Sequence, residues 1–400
     1  MDELQRVAES LARRISRAIA IDDPQMNLIA HTAHDEQVDA HRVSSVMRMR
    51  APDEVVAHAF AQGVAAADGP VRVPGLQDIG LLARICIPVR CQGLLFGYLW
   101  IIDAEGTLGD DDLHTACESA AEAGQVLYRE RLIDDLRDSR ERELLRDLLS
   151  DDATVSGAAA DLLVDEEMLP ADAFVAVLIV QVKAEEGNDP RTTLHAVLRH
   201  AGRSAHPLVS LVLSRAGGRG VVLLAGRRAP AAADLRRVAE QIRDGLEKQL
   251  GADVVRVGIG TVVEGPARAS TSARRARETL DVTATVPGFG TVTSWHDLGV
   301  YRLLVQLPLE ELPEDAIPDG LRTLVAADTE GTLVETLETW LDEGCDPRAT
   351  VARLQVHRTS LYYRLGRIEE ITGMTLNDGG ARLDLHLGLK LARLQGLLGK

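Results

Sequence analysis

Apolar positions along this chain form short strand-like runs and helical stripes, and those in its first third predict a small α/β domain. The segment ARRISRAIAID predicts a helix that leads into a short strand, which ends before Pro24. Two apolar runs, Ala83–Val89 and Leu94–Ile102, flank RCQG and predict an antiparallel hairpin that turns at Gly93. A helix over Asp110–Leu127, which starts at acidic residues, completes a pattern typical of a small-molecule sensor domain.

A highly charged stretch from Gln125 to Leu149 carries one apolar stripe with helical spacing. Two interpretations stay open: an amphipathic helix packed on its own domain, or a connecting helix that pairs with its twin in a dimer. The stripe is interrupted around Arg140, and pairing between copies is the interpretation that we favour. The apolar members are Leu127, Leu132, Ile133, Leu136, Leu144, Leu145 and Leu148.

The middle of the chain predicts a second sheet. Phe174–Val182 is almost continuously apolar and predicts a buried strand. Leu208–Ser214 and Val221–Ala225 predict two more strands around the glycine-rich segment AGGRG. The order of elements predicts an α+β sheet with helices on one face. The other predicted elements are a helix over Ala231–Leu250, a strand over Val254–Thr261 and a helix over Ser270–Thr283.

Three prolines, Pro308, Pro313 and Pro318, interrupt the acidic segment LPLEELPEDAIPDG. Because proline breaks helices, this segment cannot be one continuous helix, and we interpret it as the connection to a C-terminal domain. Beyond it, Thr332–Glu343 predicts a helix that ends at Gly344.

Two short helices with a tight turn follow in this domain. Asp346 and the proline after it predict the start of a helix that runs to about Leu354. After a turn at Gln355–His357, a second helix runs over Arg358–Ile371 and ends at Gly373. This pattern predicts a helix-turn-helix.

The second of these helices has two unlike faces. Leu361, Leu365 and Ile368 recur at helical spacing and predict the core face. No acidic residue interrupts Val351–Arg367, and arginine, serine and threonine are side chains that meet phosphates and base edges. We favour a DNA-reading face over a merely solvated one. Its outward positions are Thr359, Tyr363, Arg367 and Glu370, flanked by Ser360 and Arg364 on one side and by Arg358 and Tyr362 on the other.

The final stretch, RLDLHLGLKLARLQGLL, is ambiguous. Its leucines alternate strictly, which favours a strand. They also form a helical stripe, and leucine prefers helices, so we expect a helix packed under the DNA-reading pair. The members of that stripe are Leu383, Leu387, Leu391, Leu394 and Leu398.

Charge separates the C-terminal region from the rest of the chain. The formal net charge is -17, yet residues 331–400 contain nine basic and nine acidic residues. The acidic remainder would repel DNA, so only the C-terminal region could approach phosphates. With 46% hydrophobic residues and no apolar run long enough to span a bilayer, we expect a cytoplasmic protein of two or three domains. The cysteines, expected to be free thiols rather than redox or metal sites, are Cys86, Cys91, Cys117 and Cys345.

Candidate catalytic chemistry is sparse. The segment HTAHDE groups His31, His34, Asp35 and Glu36, but we favour a solvated loop over a metal site. VGIGTVVEG lacks the GxGxxG spacing, and neither a P-loop nor a nucleophile elbow occurs. We therefore expect no enzyme activity, no bound metal and no cofactor.

The motif VHRTSLYYRLGRIEEITGMTLND, followed by ARLDLHLGLKLARL, resembles the C-terminal helix-turn-helix of the PucR/CdaR-type bacterial regulators. Their pattern of His-Arg-Asn-Thr-Leu, Tyr-Arg-Leu, Arg-Ile-Glu and Thr-Gly is matched over about 70 residues, but Thr359 and Ser360 replace Asn-Thr. That departure leaves the operator sequence open, though not DNA binding. The predicted DNA-binding residues are His357, Arg358, Thr359, Ser360, Tyr362, Tyr363, Arg364 and Arg367.

The resemblance extends more loosely upstream and implies a multidomain α+β protein. It implies that the hairpin Gly217–Val221 corresponds to the one with which diguanylate cyclases hold metal and nucleotide, but acidic residues are missing there. Phe174–Val182 also contains no Asp, so we expect no cyclase activity. The expected domains are a GAF-like α/β sensor (1–128), a connecting helix (129–150), a degenerate GGDEF-like α+β domain (151–300), a linker (301–330) and an all-α helix-turn-helix domain (331–400).

We therefore expect a homodimeric or larger regulator that binds a double-stranded DNA operator and no membrane. Its N-terminal domain would bind a small-molecule effector. One alternative is a nucleotide-binding or nucleotide-processing protein that acts through the GGDEF-like domain. Another is a sensor scaffold that works by protein contact alone.

Overall fold

The computed structural model describes residues 3–32, 39–183, 190–215, 217–250, 255–309, 311, 313 and 316–398. The chain divides into two compact units, Met1–Ser139 and Arg140–Lys400. The first holds the predicted sensor domain, and the second holds the middle and C-terminal domains. The predicted metal alternative at HTAHDE lies mostly outside the described residues, since it includes His34, Asp35 and Glu36.

A five-stranded antiparallel sheet organises the first unit, in the order β2-β1-β5-β4-β3. Strand residues alternate between its faces, so Ile19 and Ile21 pack against α1 and α4 while Asp22 faces the opposite side. The elements are α1 (Glu3–Ile15), β1 (Ile19–Asp22), β2 (Leu28–His31), α2 (Ala40–Arg48), α3 (Asp53–Ala61), β3 (Val71–Val73), β4 (Arg84–Cys91) and β5 (Leu94–Ile102), with a 3-10 turn at Gln77–Ile79.

The predicted hairpin in this sheet is confirmed. Gln92 and Gly93 connect β4 to β5 with positive φ angles of 50° and 77°, which suits a two-residue hairpin turn. Gly97 in β5 is required for a different reason, the close approach of a neighbouring strand. A Cβ there would lie 2.1 Å from the carbonyl oxygen of Asp22, so the close approach of β1 to β5 requires glycine.

One helix of 39 residues, α4 (Asp110–Leu148), contains both the predicted helix and the predicted connecting stretch. Its apolar stripe divides into two parts. Leu132, Ile133 and Leu136 are 43%, 58% and 70% exposed. The last leucines instead pack into the core of the second unit, as the own-domain interpretation expects. Those buried leucines are Leu144, Leu145 and Leu148.

The middle domain contains a six-stranded sheet in the order β11-β9-β6-β8-β7, with β10 paired to β6. Its strands follow the predicted ranges closely, and β6 matches its range at both ends. The elements are α5 (Ala153–Asp165), β6 (Phe174–Val182), α6 (Arg191–Arg203), β7 (Val209–Arg215), β8 (Arg219–Gly226), α7 (Ala232–Leu250), β9 (Val255–Ile259), β10 (Val263–Glu264), α8 (Ala269–Thr285) and β11 (Val292–Ser294), with 3-10 turns at Pro266–Arg268 and Trp295–Leu298.

The expectation of helices on one face of this sheet is wrong. Leu178 and Val180 of β6 pack with α6 and α7, whereas Val175 and Val177 pack with α5 and α8 on the opposite face. The continuous apolar run of β6 explains this, because a strand that is apolar on both faces must be covered on both.

The predicted linker, residues 301–330, is not a simple connection. It contains α9 (Tyr301–Leu304) and α10 (Asp319–Ala327). Leu321 and Leu324 of α10 are buried in the core of the C-terminal helices. Pro318 directly precedes α10, and since proline is tolerated at a helix start, it opens this helix instead of breaking one.

Four further helices complete the C-terminal domain. The last is a helix, as predicted, and Leu391 and Leu398 of the predicted stripe are buried. The stripe is only partly right, because Leu385 and Leu389 are buried too, whereas Leu383 is 59% exposed. Gly388 explains the shift, because a Cβ there would lie 2.8 Å from the Leu321 side chain, so α10 and the final helix meet closely at that face. The helices are α11 (Thr332–Asp342), α12 (Pro347–Leu354), α13 (Arg358–Thr372) and α14 (Gly379–Leu394).

Candidate nucleic-acid interface

Local sequence fixes both ends of α12 and the start of α13. The Asp346 carboxylate accepts hydrogen bonds from the backbone N–H groups of Arg348 (2.6 Å) and Ala349 (3.2 Å), which caps α12 as predicted. Gln355 ends α12 in a left-handed conformation with φ of 55°. Nδ1 of His357 then accepts from the N–H of Thr359 at 3.3 Å and caps α13. The turn between the helices is therefore short and defined at each side.

The core face of α13 is confirmed. Leu361, Leu365 and Ile368 are all buried among the other C-terminal helices. Gly373 follows the helix with φ of 67°, and its N–H donates to the carbonyl of Glu369. This packing fixes which side of α13 remains outward.

The outward side of α13 brings together most of the predicted DNA-binding residues. Thr359 and Ser360 are exposed in its first turn. Tyr362 and Tyr363 follow, with 48% and 76% of their surface exposed. The Arg358 guanidinium lies 5.5 Å from the Tyr362 ring centroid, and Nη2 of Arg358 lies 3.4 Å from its hydroxyl. The aromatic ring therefore restrains this arginine on the exposed surface.

The two later arginines of the predicted set have protein partners. Arg364 is half-buried and donates to the hydroxyl of Thr336 on α11 at 3.2 Å. Arg367 is exposed but forms an ion pair with Glu370 at 2.8 Å. Arg364 thus ties α13 to α11, an interaction that the α13 sequence pattern alone could not indicate.

A concave surface of about 680 Å³ adjoins the first turns of α13. Thr359, Ser360 and Tyr363 line one side. Asp328 and Glu330 line the other, but the Asp328 carboxylate accepts from the backbone N–H of Val334 at 2.7 Å. The negative charge of Asp328 is therefore partly taken up by the start of α11.

Other basic residues of this domain bind acidic groups within it. Arg393 forms an ion pair with Glu338 at 2.8 Å, and Arg353 forms one with Glu343 at 2.7 Å. Burial raises the pKa of Asp342, but hydrogen bonds from His386 and Lys390 outweigh burial and lower this pKa to about 2. These pairs join α11 to α12 and α14. Among the exposed arginines is also Arg348 on α12, which the predicted set did not include.

The middle domain contains a second charged surface at its glycine-rich hairpin. Gly217 and Gly218 turn the chain between β7 and β8 with φ of 75° and 72°. An adjoining cleft of about 820 Å³ includes only one acidic residue among those described, Asp281, whose pKa is raised by burial. Its basic residues are Lys183, Arg215, Arg219, Arg256 and Arg277.

Metal-ligand side chains do not converge in the described part of the chain, where no group of three His, Cys, Asp or Glu residues is placed to hold an ion. Cys86, Cys91, Cys117 and Cys345 are free thiols. Burial raises the pKa of Cys86 and of Cys117, which makes their thiolates scarce. In those same described segments, no helix combines the length and apolar character needed to cross a membrane.

Together, the α/β sensor domain and the helix-turn-helix define a class of protein, the DNA-binding transcription regulators. Family models agree with this class: residues 333–391 match the PucR C-terminal helix-turn-helix domain, and residues 168–282 match a GGDEF-like domain. Over these two segments the chain is similar to the PucR-type transcriptional regulators.

Similar proteins extend this likeness beyond the matched domains. The DNA-binding transcriptional activator AdeR of Bacillus subtilis is 23% identical over 98% of this chain and 94% of its own length. The proline-responsive transcriptional activator PutR of the same organism is 19% identical over 98% of this chain and 97% of its own. The carbohydrate diacid regulator of Escherichia coli is 34% identical over 40% of this chain and 41% of its own. The likeness to the first two therefore extends along nearly the whole chain.

Proposed function

We propose that this chain acts as a homodimer that reads an operator with α13 and alters its DNA binding when a small molecule occupies the sensor domain. The observation that carries the proposal is the exposed first half of α13, where hydroxyl, phenol and guanidinium groups stand together on a helix whose other face is buried. Because the remainder of the chain is acidic, this surface is the part best suited to approach phosphates.

We assign different tasks to the residues of this surface. Thr359, Ser360 and Tyr363 are exposed early in α13, where a recognition helix meets base edges. Arg358, restrained by Tyr362, is suited to a phosphate. His357, whose Nδ1 caps the helix, would hold the start of α13 at the correct distance from the duplex.

The two later arginines would act at the edge of the interface. Arg367 would exchange its ion pair with Glu370 for a phosphate, since a surface ion pair of this kind contributes little to stability. Arg364, already bonded to Thr336, would present its remaining N–H groups to the backbone of the operator.

An effector and a dimer complete the proposal. PutR, which is similar along nearly the whole chain, is described as proline-responsive, which supports a small-molecule signal. The exposed apolar residues Leu132, Ile133 and Leu136 of α4 support pairing with a second copy. We place the domain borders at 1–128, 129–150 and 151–300 and start the C-terminal domain at Ile317, because that residue belongs to its core.

Two experiments test the DNA-reading role. Genome-wide mapping with the full-length protein first identifies the bound DNA, and footprinting and affinity measurements on that DNA follow. We expect Arg358→Ala to weaken binding to specific and unrelated DNA alike and to reduce the salt dependence by about one phosphate interaction. Thr359→Ala and Ser360→Ala should instead reduce the preference for the operator over unrelated DNA, by about 1–3 kcal/mol for each base that the replaced hydroxyl recognises.

Arg322→Ala is the matched control, because Arg322 is an exposed arginine of the same domain that pairs locally with Asp319. It should leave the footprint unchanged. A wild-type protein without any sequence-dependent footprint, or an Arg358→Ala variant indistinguishable from Arg322→Ala, would refute the proposal.

We also propose that the GGDEF-like domain has no cyclase activity. The hairpin Arg215–Arg219 carries arginines and glycines, and β6 contributes no carboxylate to hold a metal. Incubation of the full chain with GTP and Mg²⁺ should yield no cyclic dinucleotide, and product formation abolished by an Arg219 substitution would overturn this view.

A further inference from the structure

The sensor domain contains a cavity of about 40 Å³ between its sheet and the helices α2 and α3. Met26, Val56 and Ala59 supply part of an apolar lining, as expected of a binding cavity. Charged side chains from three elements also line it: Asp22 of β1, Arg42 of α2 and Arg84 of β4. Such charges are rarely placed in a protein interior without a partner.

Asp22 is only 7% exposed, and among the described residues no cationic nitrogen lies within ion-pair distance of its carboxylate. Burial raises the pKa of Asp22 to about 6, although Arg42 acts in the opposite direction. Asp103 in the same domain is buried too, but it accepts from the N–H of Thr107 at 2.9 Å and pairs with Arg72 at 2.9 Å. Asp22 thus has no contacting ion-pair partner of the kind that Asp103 has, and the more distant Arg42 and Arg84 and the indole of Trp100 only partly offset its burial.

Hydrogen bonds within the domain orient both arginines, and Arg42 still has N–H donors available for a ligand. Asp39 accepts from Arg84 at 2.5 Å and from the backbone N–H groups of Arg42 at 2.8 Å and Leu82 at 2.9 Å, so its carboxylate is fully engaged. The guanidinium of Arg42 donates to the carbonyl of Ile19. A guanidinium has five N–H donors, so Arg42 retains capacity for a second acceptor.

Trp100 adds a neutral donor to this cavity. Its buried indole Nε1 is directed at the Asp22 carboxylate and lowers the pKa of that carboxyl as a hydrogen-bond donor does, although among the described residues no contact of this nitrogen has full hydrogen-bond geometry. A buried donor of this kind usually has a partner, and the absence of one is destabilising. A ligand with an acceptor oxygen would remove that deficit.

We propose that this cavity binds a small zwitterion, an α-amino acid, with its ammonium group at Asp22 and its carboxylate at Arg42 and Trp100. The proposal rests on the sensing role given above and names the ligand class for that role. The charges of Asp22 and Asp39 balance those of Arg42 and Arg84, so a zwitterion leaves the site electroneutral. A dicarboxylate would face Asp22 with a like charge, and a simple amine would bring no carboxylate to the remaining N–H donors of Arg42.

Cavity size restricts the ligand further. A volume of about 40 Å³ has room for only a few water molecules, so even a small amino acid must widen the cavity. Large side chains would require a greater displacement of α2 and α3. Binding of a small amino acid would therefore favour a conformation with these helices moved outward, which is how occupancy could be transmitted.

Thermal shift and calorimetric titration of the full-length protein, without DNA, test this assignment against the twenty common amino acids. We expect one or a few small amino acids to raise the melting temperature. The analogue of the best ligand without its amino group, and the analogue without its carboxylate, should each bind about 100-fold more weakly. Equal binding of either analogue, or no response to any amino acid, would overturn the proposal.

Variants locate the site. Asp22→Asn and Arg42→Lys should lose the response, whereas Glu105→Gln and Arg13→Gln, at exposed positions of the same domain, should keep it. Because Arg42→Lys could fail to fold, fluorescence provides an independent measurement. The chain has three tryptophans, and a ligand-dependent emission change should vanish in Trp100→Phe but persist in Trp295→Phe and Trp340→Phe. Persistence in Trp100→Phe would place the ligand elsewhere.

These outcomes are separable from those that test DNA reading. Arg358→Ala should bind the amino acid normally, and Asp22→Asn should retain the footprint of the ligand-free protein. A normal footprint without any amino-acid binding would refute the ligand assignment and leave the regulator intact. Amino-acid binding without a footprint would refute the DNA-reading role and leave the ligand assignment intact.

Discussion

The carboxyl group of Asp22 shows how one buried charge affects both stability and recognition. Burial disfavours its ionised form, whose solvation in water is removed without a replacement ion pair. Buried ionisable residues with a strongly shifted pKa are common at functional sites, where a ligand supplies the missing partner. In the ligand-free protein the same residue should therefore weaken the fold.

Asp22→Asn should raise the stability of the ligand-free sensor domain above pH 6. The folded-state pKa of about 6 exceeds the ordinary value of 3.8, so the native state binds more protons between these values. Stability of the wild type consequently falls as pH rises through that window, by at most about 3 kcal/mol, and the variant lacks this decline.

Urea unfolding at pH 4 and pH 7.5, followed by emission from Trp100 in a Trp295→Phe, Trp340→Phe background, measures this difference. Glu105→Gln, an exposed carboxylate change, controls for net charge. An Asp22→Asn protein less stable than wild type at pH 7.5 would show that the arginines nearby already compensate the carboxylate.

Single residues also mark the limit of sequence interpretation. The outward position of Thr359 and Tyr363 followed from helical spacing, since one stripe of α13 had to be buried. The bond of Arg364 to Thr336 did not follow, because it depends on how α11 crosses α13. Asp22, Arg42 and Trp100 lie far apart in sequence, and only the sheet order brings them to one cavity.

At the scale of elements, helix ends were predictable wherever a cap residue marked them. Asp346 and Gly373 define α12 and α13 within one residue of the predicted bounds. The helix α10 was missed because the prolines before it suggested a linker. Its role in the C-terminal core depends on Leu321 and Leu324, whose burial requires partners more than 30 residues later in the chain.

Gly366→Ala tests the role of a glycine inside α13, which the sequence does not explain. A Cβ at this position would meet nothing within 4 Å, and the backbone there is helical. Alanine should therefore stabilise the C-terminal domain by about 1 kcal/mol. Thermal denaturation measures that gain, and a decrease in stability would contradict it.

The operator affinity of the same variant tests whether the glycine has a role in DNA binding. If the stabilised Gly366→Ala protein binds the operator more weakly, the duplex backbone approaches α13 at this position. An unchanged affinity would show that glycine has no role in the interface. Gly157→Ala is a suitable control, because Gly157 also lies in a helix with open space around its Cα.

At the scale of the molecule, the exposed stripe on α4 predicts the assembly state. If two copies pair through this stripe as proposed, Ile133→Glu with Leu136→Glu should convert the dimer to a monomer, since charges would replace apolar surface at the proposed contact. Analytical ultracentrifugation measures the change. Operator affinity should fall by about 100-fold or more, because the two helix-turn-helix domains would no longer be linked and would bind separately.

Arg137→Glu provides the control, as it adds negative charge at an exposed polar position of the same helix. It should remain dimeric. If the double variant sediments like the wild type, the copies associate through another surface, and α4 has a different role.

The internal ion pairs of the C-terminal domain bear on how the protein finds its target among bulk chromosomal DNA. Lys390 and Arg393 are mostly buried and paired with Glu338, which removes two cations that could otherwise attract phosphates irrespective of sequence. Genomes offer roughly 10⁶ or more competing sites, and a strongly basic reader is held on most of them. An acidic protein with a sparse set of exposed arginines avoids that sequestration. A small number of copies per cell would then suffice to fill the operator.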